Sequence, residues 1–112
     1  MDDTRIEGDE HYNQCHAIAE DVALRRFMLI KRTGLTLSVP YSLLPLYQLD
    51  ANKLAIVSHE LKVLITGRNL KALLEYLSDE CLVWVRERDH DDGEAFIYIS
   101  EINIESENLN SL

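Results

Sequence analysis

Apolar residues recur at every second position in several separate stretches of the chain, and this period fits β-strands that turn one face toward a core. The pattern is clearest where residues 25–32 are followed by Thr33-Gly34 and then by an alternating run over residues 35–41. A short glycine-containing turn between two such runs is typical of a β-hairpin. We therefore expect a fold built mainly from antiparallel strands.

The middle of the chain predicts further strands. Residues 46–49 form a short apolar run. Residues 53–58 and 61–65 form two more, and turn-forming residues at 58–60 lie between them. This arrangement predicts a third strand followed by a second hairpin.

Two segments show the helical period instead. An amphipathic helix over about residues 69–79 is predicted by leucines at i, i+3, i+4 and i+7, namely Leu70, Leu73, Leu74 and Leu77. A helix near the N-terminus, over about residues 11–23, is predicted by the stripe of Tyr12, Cys15, Ile18 or Ala19, and Val22.

Two β-rich runs, residues 81–86 and 95–104, close the pattern, and we expect them to pair antiparallel across the hydrophilic segment 89–94. The elements together predict an α+β fold. Its core is a strongly bent antiparallel sheet, or a small open barrel, of about five to seven strands. The N-terminal helix and the helix at 69–79 are expected to pack on it.

The length of 112 residues suits one domain with one hydrophobic core. We expect that globular domain to cover residues 11–105. Residues 1–10 are predicted to be disordered and residues 106–112 to form a loose tail, because both segments are polar or acidic and lack a periodic apolar pattern.

The charge of the chain constrains its partners. Asp and Glu total 20 against 11 for Lys and Arg, which gives a formal net charge of −9. This charge disfavours nucleic acid and anionic membranes as partners, and no apolar run approaches the roughly 18 residues of a transmembrane helix. The acidic N-terminus lacks a secretory signal, and Cys15 and Cys81 are spaced like free thiols. We therefore expect a cytoplasmic protein without a membrane partner.

Signatures of catalysis, cofactor binding or metal binding are missing from the sequence. The acidic loop 89–94 can be aligned with an EF-hand at Gly93, but this puts Arg88 at the first ligand position and Ile99 where a bidentate Glu is needed. The loop is interpreted as a solvated hairpin tip, with cation binding left open. We predict no catalytic, cofactor-binding or metal-binding residues, which favours a non-enzymatic protein over an enzyme.

The strand at residues 81–86 carries an interface signal. Strict alternation places Leu82 with Trp84, Arg86 and Arg88 on one face, and Cys81, Val83 and Val85 on the other. The first residues on each face are apolar, so we expect other parts of the protein or a partner to cover both faces. Trp84, Arg86 and Arg88 are therefore a candidate interface, with ordinary core packing as the alternative. The leading hypothesis is a non-enzymatic binding module that forms a homo-oligomer, with another protein as a further possible partner.

One segment resembles a known family. Val63-Leu64-Ile65-Thr66-Gly67-Arg68-Asn69-Leu70 is similar to the second signature of Sm-like RNA-binding proteins, an apolar strand that ends in I-R-G-x-N and an apolar residue. The resemblance implies a helix followed by a bent five-stranded sheet, assembled in rings, with Gly67, Arg68 and Asn69 in an RNA pocket. Turn and capping chemistry alone also gives these residues a complete structural explanation, which is the preferred interpretation.

The resemblance makes a nucleic-acid-binding protein the second hypothesis. A third is a small-molecule binder or enzyme with a pocket between the helix at 69–79 and the sheet, where concave apolar sites often form.

Overall fold

A computed structural model describes residues 14–20, 22–59, 61–91 and 93–105 of the chain. Within these residues lie eight β-strands and one α-helix. The elements are β1 His16–Ile18, β2 Arg26–Ile30, β3 Thr36–Pro40, β4 Leu46–Asp50, β5 Lys53–Val57, β6 Lys62–Arg68, α1 Leu70–Ser78, β7 Leu82–Arg86 and β8 Tyr98–Glu105. A short 3-10 turn, Tyr41–Leu43, links β3 to the segment before β4.

The strands form two four-stranded sheets. Sheet 1 has the order β1-β7-β2-β3, with β7 antiparallel to β1 and parallel to β2. Sheet 2 has the order β4-β5-β6-β8 and is antiparallel throughout. The core contains the inward side chains of both sheets, among them Phe27, Leu29, Val39 and Val85 from sheet 1 and Leu54, Ile56, Val63, Ile65 and Ile102 from sheet 2.

Both predicted hairpins are confirmed. β2 and β3 pair antiparallel with Phe27 opposite Val39, and Gly34 in their turn has a φ of 99°, a conformation that glycine adopts without strain. β5 and β6 pair antiparallel with Ile56 opposite Val63. The strand predicted at residues 46–49 is also present, as β4.

The helix predicted over residues 69–79 is confirmed as α1. Its face toward the sheets consists of Leu70, Leu73 and Leu77, all buried. Leu74 is only half-buried, so the helix is rotated slightly from the orientation that the leucine stripe alone indicates. Among the described residues, no helix has the length and apolar content needed to cross a membrane.

The predicted N-terminal helix over residues 11–23 is wrong within the described residues. Residues 16–18 form β1, which pairs with β7, and Cys15 is fully buried in the core. Backbone pairing with β7 outweighs the local helical period, because a short stripe of apolar residues can be buried equally well from a strand. Residues 11–13 and 21 lie outside the described residues.

The predicted bent sheet or small barrel of about five to seven strands is also wrong. The described strands form two separate sheets, and the last two strands divide between them. β7 lies between β1 and β2 in sheet 1, whereas β8 pairs with β6 in sheet 2. The expected antiparallel pairing of these two runs is therefore replaced by two longer-range pairings. The segments predicted to be disordered or loose, 1–10 and 106–112, lie outside the described residues.

A buried carboxylate joins the two sheets. Glu87 follows β7, and its side chain is 4% exposed. The backbone N–H of Ile102 in β8 donates to Oε2 at 2.6 Å, and the N–H of Arg32, just after β2, donates to Oε1 at 2.8 Å. Lys31 Nζ lies 3.5 Å from Oε2 and also donates to the Ile102 carbonyl. One side chain thus ties together the ends of β2 and β7 and the middle of β8.

Opposing effects act on the pKa of Glu87. Burial raises this pKa, whereas the hydrogen bonds from Ile102 and Arg32 and the neighbouring Lys31 ammonium lower it. The lowering effects prevail, so the pKa of Glu87 lies below its usual value. The fold is therefore built around the charged carboxylate.

Replacing this carboxylate tests its role. We expect Glu87→Gln to lower the free energy of unfolding by about 3 kcal/mol at neutral pH, because the amide turns an N–H group toward groups that already donate. The matched control is Glu101→Gln at an exposed position of β8, which should change it by less than about 0.5 kcal/mol. Denaturant unfolding of both variants measures the two losses of unfolding free energy. Equal losses would contradict the structural role of the Glu87 carboxylate.

The difference in unfolding free energy between the wild type and Glu87→Gln should depend on pH, and the lowered pKa of Glu87 sets its direction. Because the folded pKa is lowered, Glu87 contributes its full stability above the pKa of an unfolded glutamate, about 4.3. The contribution is lost as the pH falls through the lower folded value. The difference between the wild type and Glu87→Gln should therefore shrink in acid. A difference that stays constant from neutral pH to about pH 3 would argue against a charged Glu87.

Candidate functional site

A β-bulge in β7 decides which of its side chains point outward. Ala17 pairs with Trp84, but the next residue, Ile18, pairs with Leu82, so β7 contains one extra residue at this point. The extra residue brings Leu82 to the same buried side as Val85. The predicted sharing of one face by Leu82 and Trp84 is therefore wrong, because simple alternation does not hold across a bulge.

Trp84 and Arg86 lie on the side of sheet 1 that faces away from the core. Trp84 is half-buried, and the Arg86 guanidinium stacks on its ring at 5.1 Å from the ring centroid. Arg86 Nε also donates to the Gln14 carbonyl at 2.9 Å. The two side chains of the predicted interface thus form one preorganised unit.

The neighbouring strand β2 extends this surface. Its inward residues are Phe27 and Leu29, so its outward residues are the alternate ones. In register, Met28 lies beside Trp84 and Ile30 beside Arg86. We call this surface the Trp84 face, formed by Arg26, Met28, Ile30, Trp84 and Arg86.

Arg88, the third residue of the predicted interface, lies just beyond the end of β7. Together with Arg32 and Arg86 it lines a surface depression of about 390 Å³. We call it the arginine depression, lined by Arg32, Arg86, Glu87, Arg88 and Asp89. The structure therefore brings all three predicted interface residues together and adds Arg32 and Met28, which the sequence did not indicate.

These two additions depend on the parallel pairing of β2 with β7. Alternation along β2 already indicates that Met28 faces away from Phe27 and Leu29. The sequence carries no local signal that these two strands, more than 50 residues apart, are neighbours. The composition of the site is therefore partly visible in the sequence, whereas its assembly is not.

Gly67, predicted as a nucleic-acid residue, is required by a close approach of two strands. A Cβ atom at this position would lie 1.9 Å from the Tyr98 carbonyl oxygen. The register between β6 and β8 also shifts between Thr66 and Gly67. Only glycine allows the two backbones to come this close.

The neighbouring residues Arg68 and Asn69 bind the loop that precedes β8. The Arg68 guanidinium donates to Asp91 Oδ2 and, at 2.7 Å, to the Ala95 carbonyl. Asn69 has a left-handed backbone with a φ of 62°, and its Nδ2 donates to the Phe96 carbonyl at 3.1 Å. These contacts account for both side chains structurally. The role in RNA binding that the Sm-like resemblance implies stays a prediction.

The acidic loop 89–94 is described except for residue 92. Asp91 accepts a hydrogen bond from the Gly93 N–H at 2.9 Å in addition to that from Arg68. Both contacts lower the pKa of Asp91 and occupy oxygens that a cation would need. Among the described residues, no group of three or more His, Cys, Asp or Glu side chains is arranged to hold a metal ion.

The two cysteines are free thiols in the structure. Burial raises the pKa of both Cys15 and Cys81 above the usual value. A raised pKa favours the thiol over the reactive thiolate. Neither cysteine therefore has the environment of an activated nucleophile.

The third hypothesis places a small-molecule pocket between α1 and the sheets. Leu70, Leu73 and Leu77 are all buried in this contact, and such packing leaves little room for a ligand. A shallow depression of about 450 Å³ lies elsewhere, between Leu24, Tyr41 and Glu80.

A scan against protein-family models, a search of curated proteins and a search of solved structures each give no match for this chain. The function is therefore argued from the residues of the site.

The close approach at Gly67 generates a prediction. Gly67→Ala should lower the free energy of unfolding by about 2 to 4 kcal/mol, because β6 and β8 must move apart to admit a methyl group. Gly93→Ala is the control: its φ of 82° makes alanine strained by about 1 kcal/mol, but the space around it is open. Thermal or denaturant unfolding compares the two. An equal or larger loss in Gly93→Ala would show that steric contact at Gly67 is unimportant.

Proposed function

We propose that this protein is a non-enzymatic interaction module that binds an acidic segment of a protein partner through the Trp84 face. A cytoplasmic location is part of the proposal, supported by the two free thiols. The observation that carries it is the pair formed by Trp84 and Arg86.

This pair has the properties of an interface anchor. Tryptophan and arginine are the residues that most often dominate the binding energy of protein interfaces. Stacking on Trp84 and the hydrogen bond to Gln14 already orient the Arg86 guanidinium, so binding costs little of its conformational entropy. Met28, 37% exposed beside Trp84, adds apolar surface.

Charge indicates the kind of partner. The chain carries a net charge of −9, yet Arg26, Arg32, Arg86 and Arg88 lie on or beside the Trp84 face. A local positive surface on an acidic protein attracts an acidic segment, while the rest of the molecule repels long polyanions. An acidic peptide segment of a protein therefore fits this surface better than nucleic acid does.

Self-association stays a prediction. In a two-fold symmetric contact the same surface of each copy meets itself. Two Trp84 faces in contact would bring the arginines of both copies together, and like charges oppose such a complex. An acidic partner is therefore favoured over a second copy on the Trp84 face.

The proposal is tested with a fluorescein-labelled twelve-residue peptide of alternating Glu and Leu, and with its Lys-Leu counterpart. Fluorescence anisotropy at low ionic strength should show binding of the Glu-Leu peptide only. Trp84→Ala should weaken this binding by about tenfold or more. The control is Phe96→Ala, which removes another exposed aromatic side chain, 56% exposed, and should leave the affinity unchanged.

Other results would replace the proposal. Failure of the Glu-Leu peptide to bind, or equal losses in the two variants, would refute binding through the Trp84 face. Sedimentation that shows a dimer of the wild type and a monomer of folded Trp84→Ala would make a second copy the partner. Binding of single-stranded RNA, lost in Arg68→Ala, would favour the Sm-like hypothesis.

A further inference from the structure

The edge strand β3 of sheet 1 carries no charged side chain. Residues 33–49, which include all of β3, contain no Asp, Glu, Lys or Arg, although 28% of the chain is charged. Among the described strands, β3 pairs only with β2, so its other edge is open. Exposed edges are usually protected against pairing by charged side chains, above all by lysine. β3 lacks this protection.

The hydrogen bonds to β2 determine which backbone groups of β3 point toward the open edge. At the turn of the hairpin, the Lys31 N–H donates to the Leu35 carbonyl at 2.8 Å. At the other end, the Tyr41 N–H donates at 2.9 Å to the carbonyl just before β2. Hydrogen-bonded pairs alternate along an antiparallel ladder, so the odd-numbered residues of β3 are bonded to β2. Thr36 and Ser38 therefore direct their N–H and C=O groups toward the open edge.

The sequence of β3 is complementary to itself in an antiparallel pairing. If Leu37 lies opposite Leu37 of a second copy, Thr36 lies opposite Ser38 of that copy. In the same register Leu35 lies opposite Val39. Hydroxyl side chains then meet on one side of the joined sheet and apolar side chains on the other. The open backbone groups of Thr36 and Ser38 are all satisfied in this pairing, because each residue donates to and accepts from its partner.

The other edge strands of the described sheets do not have this property. In β4, placing the central Gln48 opposite Gln48 of a second copy puts the apolar Leu46 opposite the carboxylate of Asp50. β8 carries Glu101 and Glu105, so its pairing with itself brings carboxylates together. β1 has three residues, too few for a stable pairing. The edge of β3 is therefore the one best suited to a second copy.

We infer that two copies of the protein associate through β3 and join their first sheets into one continuous sheet. The contact adds backbone hydrogen bonds and covers Leu35, which is 48% exposed, together with the half-buried Leu37. The same strand of each copy meets itself, as a two-fold symmetric dimer requires. Because the touching strands are uncharged, the net charge of −9 on each copy opposes this contact less than it opposes contact through an acidic surface.

The dimer leaves the Trp84 face uncovered. Ser38 is in register with Met28 of that face, and residues that pair across neighbouring strands point to the same side of a sheet. The two Trp84 faces therefore lie on the same side of the joined sheet, one on each copy. Self-association through β3 and binding of an acidic segment are thus compatible.

Sedimentation of the full chain at micromolar concentrations should show a dimer that persists in Trp84→Ala. Thr36→Lys should weaken dimerisation by about tenfold or more, because it places an ammonium group opposite Ser38 of the second copy, where the Arg26 guanidinium already donates. Gln48→Lys is the control: it makes the same charge change at an exposed position of the edge strand β4 and should leave the dimer unchanged. Denaturant unfolding establishes that each variant is folded.

Disulfide formation tests the register and does not depend on the lysine variants. Facing residues of a non-hydrogen-bonded pair have Cα atoms about 4.5 Å apart, within the range that a disulfide bridges. Leu37→Cys should therefore give a crosslinked dimer on mild oxidation with diamide. Thr36→Cys is the control, because this position lies roughly 8 Å from its own counterpart, too far for a disulfide. The wild type with its two thiols gives the background.

The outcomes separate this inference from the proposed function. A monomeric wild type would refute the dimer and leave binding of an acidic segment standing. A dimer that Gln48→Lys weakens as much as Thr36→Lys does, or equal crosslinking of the two cysteine variants, would place the contact outside this register of β3 and overturn the inference. A dimer that folded Trp84→Ala lacks would overturn both. A dimer that behaves as expected but does not bind the Glu-Leu peptide would refute the proposed function alone.

Discussion

The ionised carboxylate of Glu87, buried between the two sheets, is the interaction on which the geometry of this protein depends. It accepts hydrogen bonds from the backbone of β8 and from the residue that follows β2. A buried charge of this kind is favourable only when its hydrogen bonds and its counter-ions are in place, and these are Lys31 at 3.5 Å and the Arg32 guanidinium at 3.9 Å. The ends of β2 and β7 in sheet 1 and the middle of β8 in sheet 2 are therefore held in one arrangement.

This internal tie also shapes the surface. Glu87 points into the protein from the end of β7. Its two sequence neighbours, Arg86 and Arg88, therefore point to the opposite side of the strand. Arg32 joins them because its backbone N–H is one of the donors to Glu87. The same contact that aligns the sheets thus positions the arginine depression, and the bulge in β7 sends Trp84 outward while Leu82 stays in the core.

Features decided by neighbouring residues could be predicted from the sequence. The leucine stripe located α1, and alternation with turn residues located both hairpins. Features decided by distant residues could not. Residues 16–18 became a strand because β7 offers a pairing edge, and the last two runs separated because each pairs with another strand. Trp84, Arg86 and Arg88 were recognised by residue type, whereas Arg32 depends on a parallel pairing that leaves no local trace.

Binding of an acidic segment requires the Trp84 face to be locally positive on a strongly acidic protein. Trp84 is the one tryptophan of the chain, so its fluorescence reports on this face alone. Collisional quenching by iodide and by caesium at low ionic strength measures the sign of the local potential. A locally positive face predicts that the ratio of the iodide to the caesium quenching constant is higher for Trp84 than for free tryptophan amide, and that added salt reduces the difference. A ratio that is lower for Trp84 than for free tryptophan amide, as the net charge of −9 alone would produce, would contradict a positive Trp84 face.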